Sequence, residues 1–209
     1  MAFDHNTLLD PARAALLMME CQEGVVGTGA RLGALSEAVA SHGTIGHIAR
    51  VLAAARAARA PVFHLTVARR PDGAGAAANC RLLAATRKGT PLLPGSPAQA
   101  IVAPLSPADG DWVLTRFHGL TPFHGTELDQ LLRNLGVATV VTTGVSVNVG
   151  VLGLTIEAVN AGYQVVIPRE AVTGTPDAYV EAVLENTLGL LATVTTVDQV
   201  LAAWSASRT

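Results

Sequence analysis

Short apolar runs alternate along the chain with longer stretches in which apolar residues recur every three or four positions. Ala14–Met19 (AALLMM), Pro61–Val67 (PVFHLTV), Trp112–Thr115, Val137–Thr142 (VATVVT) and Gln164–Pro168 have the length and continuity of strands. Runs of this kind suit strands buried on both faces of a parallel sheet. Thr193–Thr196 is a candidate sixth strand. Ser36–Ala58 carries apolar residues at Ile45, Ile48, Val51 and Leu52 and reads as a helix broken or kinked around Gly43. Glu127–Leu135 reads as a helix ended by Gly136, and Asn148–Ala161, Asp177–Leu191 and a short C-terminal piece as further helices. The stretch from Ala68 to about Asp109, rich in Gly, Ala and Arg, is expected to hold short helical pieces between turn prolines.

Strands alternating with helices imply βαβ units with right-handed crossovers. The expected fold class is α/β, a three-layer α/β/α domain around a six-stranded parallel sheet, with residues 1–209 as a single domain. Ligands of such sheets bind outside the carboxyl ends of the strands. That rule points to Glu20, the Ala68–Arg70 loop, Arg116 and the Gly144–Gly150 turn.

Composition narrows the classes. Of 209 residues, 50% are hydrophobic and 14% charged, which fits a chain with a large buried core. A net charge of −2 without a basic run leaves no electrostatic case for nucleic acid. The apolar runs fall short of the roughly 18 residues a membrane span needs, so no membrane partner is expected. Acidic residues stand where a signal peptide would be basic, which argues against export and for a cytoplasmic setting. Cys21 and Cys80 make neither a disulfide framework nor a zinc spacing.

Several motifs lead nowhere. Gly27–Gly33 (GTGARLG) has G-x-G-x-x-x-G spacing and starts too far past its strand for a dinucleotide fingerprint. Gly144–Asn148 (GVSVN) has the setting of a nucleophile elbow, but all six histidines precede Ser146, against the Ser–acid–His order of that architecture. Ser146 then reads as a turn or cap residue. His118 and His124 are weak metal ligands without paired carboxylates, and His118 is left as a pocket-lining candidate. His64, in mid-strand, reads as a satisfied core histidine. Cys21 follows Glu20 directly, so if Glu20 faces the crevice Cys21 is packed.

Three stretches together resemble the isochorismatase-like hydrolase superfamily, which includes nicotinamidases and other cysteine hydrolases. They are AALLMMECQEGVV (Ala14–Val26), WVLTRFHGLTPFHGTELDQLLRNLGVATVVTTGVSVNVG (Trp112–Gly150) and LTIEAVNAGYQVVIPREAV (Leu154–Val172). The resemblance covers nearly the whole chain except Ala68–Asp109, and it implies the same six-stranded parallel sheet. It also implies a catalytic Asp-Lys-Cys triad, and here the chain departs. The aspartate position holds Glu20, the lysine position falls on Arg116 with one extra residue before the next helix start, and the cysteine position falls on Gly150. Lys88 is the only lysine, and it lies in the poorly matched stretch.

Gly150 excludes a thiol at that position. Isochorismatases are similar in carrying glycine there, which implies chemistry by proton transfer and water attack. The bare position is expected to leave room for a bulkier substrate or an ordered water at a helix N-terminus. Glu20 is the acid/base candidate, although Arg116 beside it favours the ionised form and makes it a poor proton donor. Arg116 suits a two-pronged grip on a substrate carboxylate, and the bland alternative is a structural Glu20–Arg116 ion pair. Val145, Ser146, Asn148, His118 and Arg69 complete the candidate substrate contacts, with Arg69 and Arg70 expected to make the mouth attractive to an anion. The ligand pattern of metal-dependent relatives is missing, so neither metal nor cofactor is expected.

These residues imply a non-thiol hydrolase of a small, anionic molecule, acting on a vinyl ether or a related C–O or C–N bond. The alternatives are a catalytically impaired relative that binds or regulates, and a hydrolase using Cys21 or Cys80. A homo-oligomer, dimer or tetramer, is compatible with the low charge.

Overall fold

The computed structural model describes residues 5–28, 30, 32–88 and 91–206. Of the glycine-rich loop 27–33, positions 29 and 31 therefore lie outside the described residues. The expected apolar runs form strands β1 (Ala14–Met19), β2 (Val62–Val67), β3 (Trp112–Arg116), β4 (Thr139–Val145), β5 (Gln164–Pro168) and β7 (Thr193–Thr195), with a two-residue β6 (Val172–Thr173) between the last two. The helices are α1 (His5–Leu8), α2 (Glu23–Val26), α3 (Gly33–Ser41), α4 (Thr44–Ala58), α5 (Arg81–Lys88), α6 (Leu128–Asn134), α7 (Leu152–Asn160), α8 (Asp177–Val183), α9 (Gly189–Leu191) and α10 (Val197–Ala206).

Every strand pairing is parallel. The main path runs β3-β2-β1-β4-β5-β7. β6 is the addition to the expected sheet: β5 pairs with β4 only over Thr139–Val141, and β6 takes up β4 again at Gly144 and Val145. Two residues are too few for a periodic signal.

Side chains alternate across the sheet, as the pleat requires. Leu16 and Met18 of β1 face Ile48, Val51 and Trp204 of α4 and α10. Leu17 and Met19 face Leu128, Leu132 and Leu154 of α6 and α7. Three layers follow from that double burial. The segment 36–58 breaks where expected: His42 caps α3, and Gly43 turns left-handed at φ 61° before α4. The helix expected from Asn148 begins instead as a wide π-type turn, Val147–Val151, before α7.

Strand order reverses between β1 and β4, so the loops that leave their carboxyl ends diverge and open a crevice. The two strands approach closely there. Gly144 has φ 99°, and a Cβ on it would stand 2.2 Å from the Met19 carbonyl oxygen. Only glycine fits that contact.

One polar cluster is buried beside β2. His64 Nε2 meets Asp111 at 3.2 Å, Asp111 also accepts the Ala108 N–H at 3.0 Å, and Arg56 completes the set with an ion pair to Asp111. His64 is the satisfied core histidine its mid-strand position implied. Burial lowers its pKa from the ordinary 6.5, outweighing the opposite pull of Asp111. Burial raises Asp111, but Arg56, the Ala108 N–H and His64 together hold it below its ordinary 3.8. The unfolded chain therefore takes up a proton at His64 at higher pH than the folded chain, and stability falls as pH drops below 6.5. Asp111 adds a further loss only as pH falls below 3.8, through its lowered folded value. Thermal melts between about pH 7.5 and about pH 5 should show the first decline, and His64→Gln should flatten it.

Candidate active site

A cavity of about 550 Å³ lies at the carboxyl ends of the strands. Glu20, Arg116, His118, Ser146, Asn148 and Gly150 line it, together with Arg69. Positions far apart in sequence, after β1, β3 and β4, thus share one cavity, as the reversal of strand order predicts. Val145 is the exception among the expected contacts. It is 1% exposed and packs into the α4 side of the core, because the alternation of β4 turns it away.

Glu20 directly follows β1 and has φ 52°, a left-handed conformation uncommon outside glycine. Arg59 shares that region but merely ends α4. Glu20 donates its backbone N–H to Leu65 O at 2.9 Å, and its Oε1 accepts from Arg116 Nη2. Strained backbone of this kind clusters at functional sites. Arg116 is 3% exposed; its Nε donates to Gly119 O at 3.4 Å, and its Nη1 is buried without a hydrogen-bond partner among the described residues. A buried donor left unpaired costs about 1–3 kcal/mol. The structural pairing of Glu20 and Arg116 and the proximity of both to a ligand space therefore hold together.

The loop after β1 is held by a residue with no signal in the sequence. Gln22 is wholly buried; its Oε1 accepts the Val67 N–H at 2.7 Å, and its Nε2 donates to Val67 O at 2.9 Å and Gln99 O at 3.0 Å. The amide of Gln22 thus clips the β1 loop to the end of β2 and to the segment before Ile101. Gly24 completes the seam, since a Cβ there would stand 2.8 Å from Ala98 O.

Arg69 and Arg70 are both engaged by other protein groups. Arg69 lines the cavity, yet its guanidinium donates to Thr86 O at 2.8 Å and Arg87 O at 3.1 Å. Arg70 is exposed and paired with Asp72. The turn amides are also partly committed: the N–H groups of Val149 and Val151 bond Ser146 O at 3.1 and 3.0 Å. Most of the remaining lining is aliphatic or aromatic, including Leu82, Leu83, Leu92 and Phe117, none of which stood out in the sequence. Ser146 begins the turn without a side-chain cap bond, and His118 packs edge-on to His124 at 6.2 Å.

Neither thiol lines the cavity. Cys21 is packed as expected, donating weakly to Met19 O at 3.6 Å, and burial with the Glu20 charge pushes its thiol up to about 12. Cys80 is exposed. Among the described residues no group of three or more His, Cys, Asp or Glu side chains is arranged to hold a metal ion. Among them, too, no helix is long and apolar enough to cross a membrane.

Comparison with known proteins places this architecture. Residues 14–199 match the isochorismatase domain. Ureidoacrylate amidohydrolase RutB of Methylobacterium radiotolerans is 33% identical over 165 residues, covering 68% of this chain and 59% of that protein. Phenazine biosynthesis protein PhzD1 of Pseudomonas aeruginosa is 33% identical over 112 residues, 53% of this chain and 54% of that one. The matches thus span little more than half the length of these curated relatives. Among solved structures, an isochorismatase family protein from Desulfovibrio vulgaris superposes with TM-score 0.79 at 30% identity, covering 90% of this chain and 98% of that chain.

Gly150 corrects one expectation. A Cβ there would stand 2.9 Å from Val145 O and 3.2 Å from Met19 Cε. The space a side chain would take is thus filled by Met19, an unbranched residue suited to irregular gaps, and does not enlarge the cavity. Gly150 offers backbone alone. Gly150→Ala should lower unfolding free energy by about 1–3 kcal/mol through overpacking, measured by denaturant titration.

Proposed function

Because the chain belongs to the isochorismatase family of hydrolases, we propose that it hydrolyses a small molecule without a cysteine nucleophile. The observation that carries this reading is that, among the described residues, Glu20 is the one carboxylate lining a cavity with no thiol in it. A carboxylate paired with a guanidinium is a proton acceptor. In this reading Glu20 takes a proton from the attacking water and returns it to the leaving group. Arg116 stays charged and offers Nη1 to a substrate carbonyl or carboxylate oxygen. The backbone at Gly150 borders the reacting atoms.

The relatives include an amidohydrolase, and an amidase from Thermoplasma acidophilum named for N-carbamoylsarcosine superposes with TM-score 0.71 at 25% identity. C–N bonds of amides and ureides are therefore the first bonds to screen. A second reading, binding without turnover, is favoured by the mutual engagement of Glu20 and Arg116. Tight retention of a metabolite without turnover, weakened in Arg116→Ala, would support it.

Glu20→Gln should lower turnover by about 10²–10⁴-fold. Loss of its charge also leaves a buried guanidinium uncompensated, so Glu20→Asp is the companion: it keeps the counter-ion and displaces the carboxylate, with an expected loss on the order of 100-fold. Alkylation of Cys80 should leave turnover unchanged. Unimpaired rates in both Glu20 variants, measured on whichever substrate the screen yields, would end the assignment.

A further inference from the structure

The cavity is divided by chemistry. Its charged groups gather at the strand ends, where Glu20 and Arg116 largely neutralise each other, while the side formed by α5 and neighbouring loops is apolar. We propose that the substrate is amphipathic, with a carboxylate or carboxamide end at Glu20 and Arg116 and an apolar body of several carbons under α5, and that Arg69 is the positioning residue for α5. This rests on the reading of the cavity as the substrate site.

The strongest support is α5 itself. Leu82, Leu83 and Thr86 line the cavity from one helix face, while Arg81, Arg87 and Lys88 are exposed. None of its residues is buried. An amphipathic helix holds its place by burying its apolar face, and here that face looks onto an empty space instead of the core. Opposite it, Leu32, Phe117 and Leu120 line the same cavity while remaining 41%, 44% and 37% exposed. Apolar residues exposed together around a concave site mark a surface that is covered in use. At about 550 Å³ the space suits one small ligand.

Arg69 explains how α5 stays in place without core contacts. Its backbone N–H donates to Leu92 O at 2.8 Å, and its guanidinium holds the Thr86 and Arg87 carbonyls in the last turn of α5. A cation on the C-terminal carbonyls satisfies groups the helix cannot pair internally. Arg69 follows β2 closely, so it ties both the helix and the Leu92 segment to the sheet.

Straight-chain carboxylates from butanoate to decanoate test this by titration calorimetry on the full chain. Affinity should rise about fourfold per added methylene until the cavity is filled. Leu83→Asn should flatten the dependence on chain length while leaving butanoate affinity near wild type. Arg69→Met should weaken decanoate more than butanoate, while a cooperative thermal transition is retained. Equal affinity along the series, no binding at all, or an Arg69→Met loss that is uniform with length would overturn the proposal. If the length dependence holds while both Glu20 variants keep full turnover, the catalytic reading falls and this one stands. The reverse combination has the opposite meaning.

Discussion

A guanidinium buried to 3% exposure at the end of β3 cannot stand without a counter-charge, and among the described residues Glu20 supplies it. That requirement organises the strand ends. Glu20 takes a left-handed backbone conformation as the chain leaves β1. The ion pair spans β2, which lies between β1 and β3 in the sheet. Gln22, two residues on, then ties the loop to Val67 at the end of β2. The charged end of the cavity is thus built into the sheet, while its apolar side is hung from it through Arg69.

This division changes the electrostatic picture. Three arginines near one crevice suggest an anion trap, but each has a protein partner: Arg116 with Glu20, Arg69 with helix carbonyls, Arg70 with Asp72. Among the described residues, what remains for a ligand is a few polar atoms, among them the unpartnered Arg116 Nη1 and Asn148 Oδ1, beside a wall of aliphatic side chains. Such a site selects for shape and apolar area first, and uses its few polar atoms to orient the ligand. Gly150 fits the same economy, since Met19 already occupies the direction its side chain would take.

Much of this was legible in the chain. Continuous apolar runs such as AALLMM specify doubly buried strands, and their alternation with helical periods specifies a layered parallel sheet, because local pattern and burial agree. The rule placing ligands at carboxyl ends of strands then selected Glu20, the Ala68–Arg70 loop, Arg116 and the Gly144–Gly150 turn, and residues from each of these line the cavity. Less accessible were β6, too short for a period, and Gln22, whose three hydrogen bonds go to backbone atoms no pattern reveals.

The sequence by itself determined the layers, the strand ends as the place for a ligand and the absence of a side chain at position 150. Those depend on periodicity and chain order, which are properties of neighbours along the backbone. Only the tertiary structure decided that Arg69 serves a helix, that Val145 turns into the core, and that Met19 fills the space beside Gly150. Partners of that kind are chosen by packing between segments far apart in the chain, where distance in space bears no relation to distance in sequence.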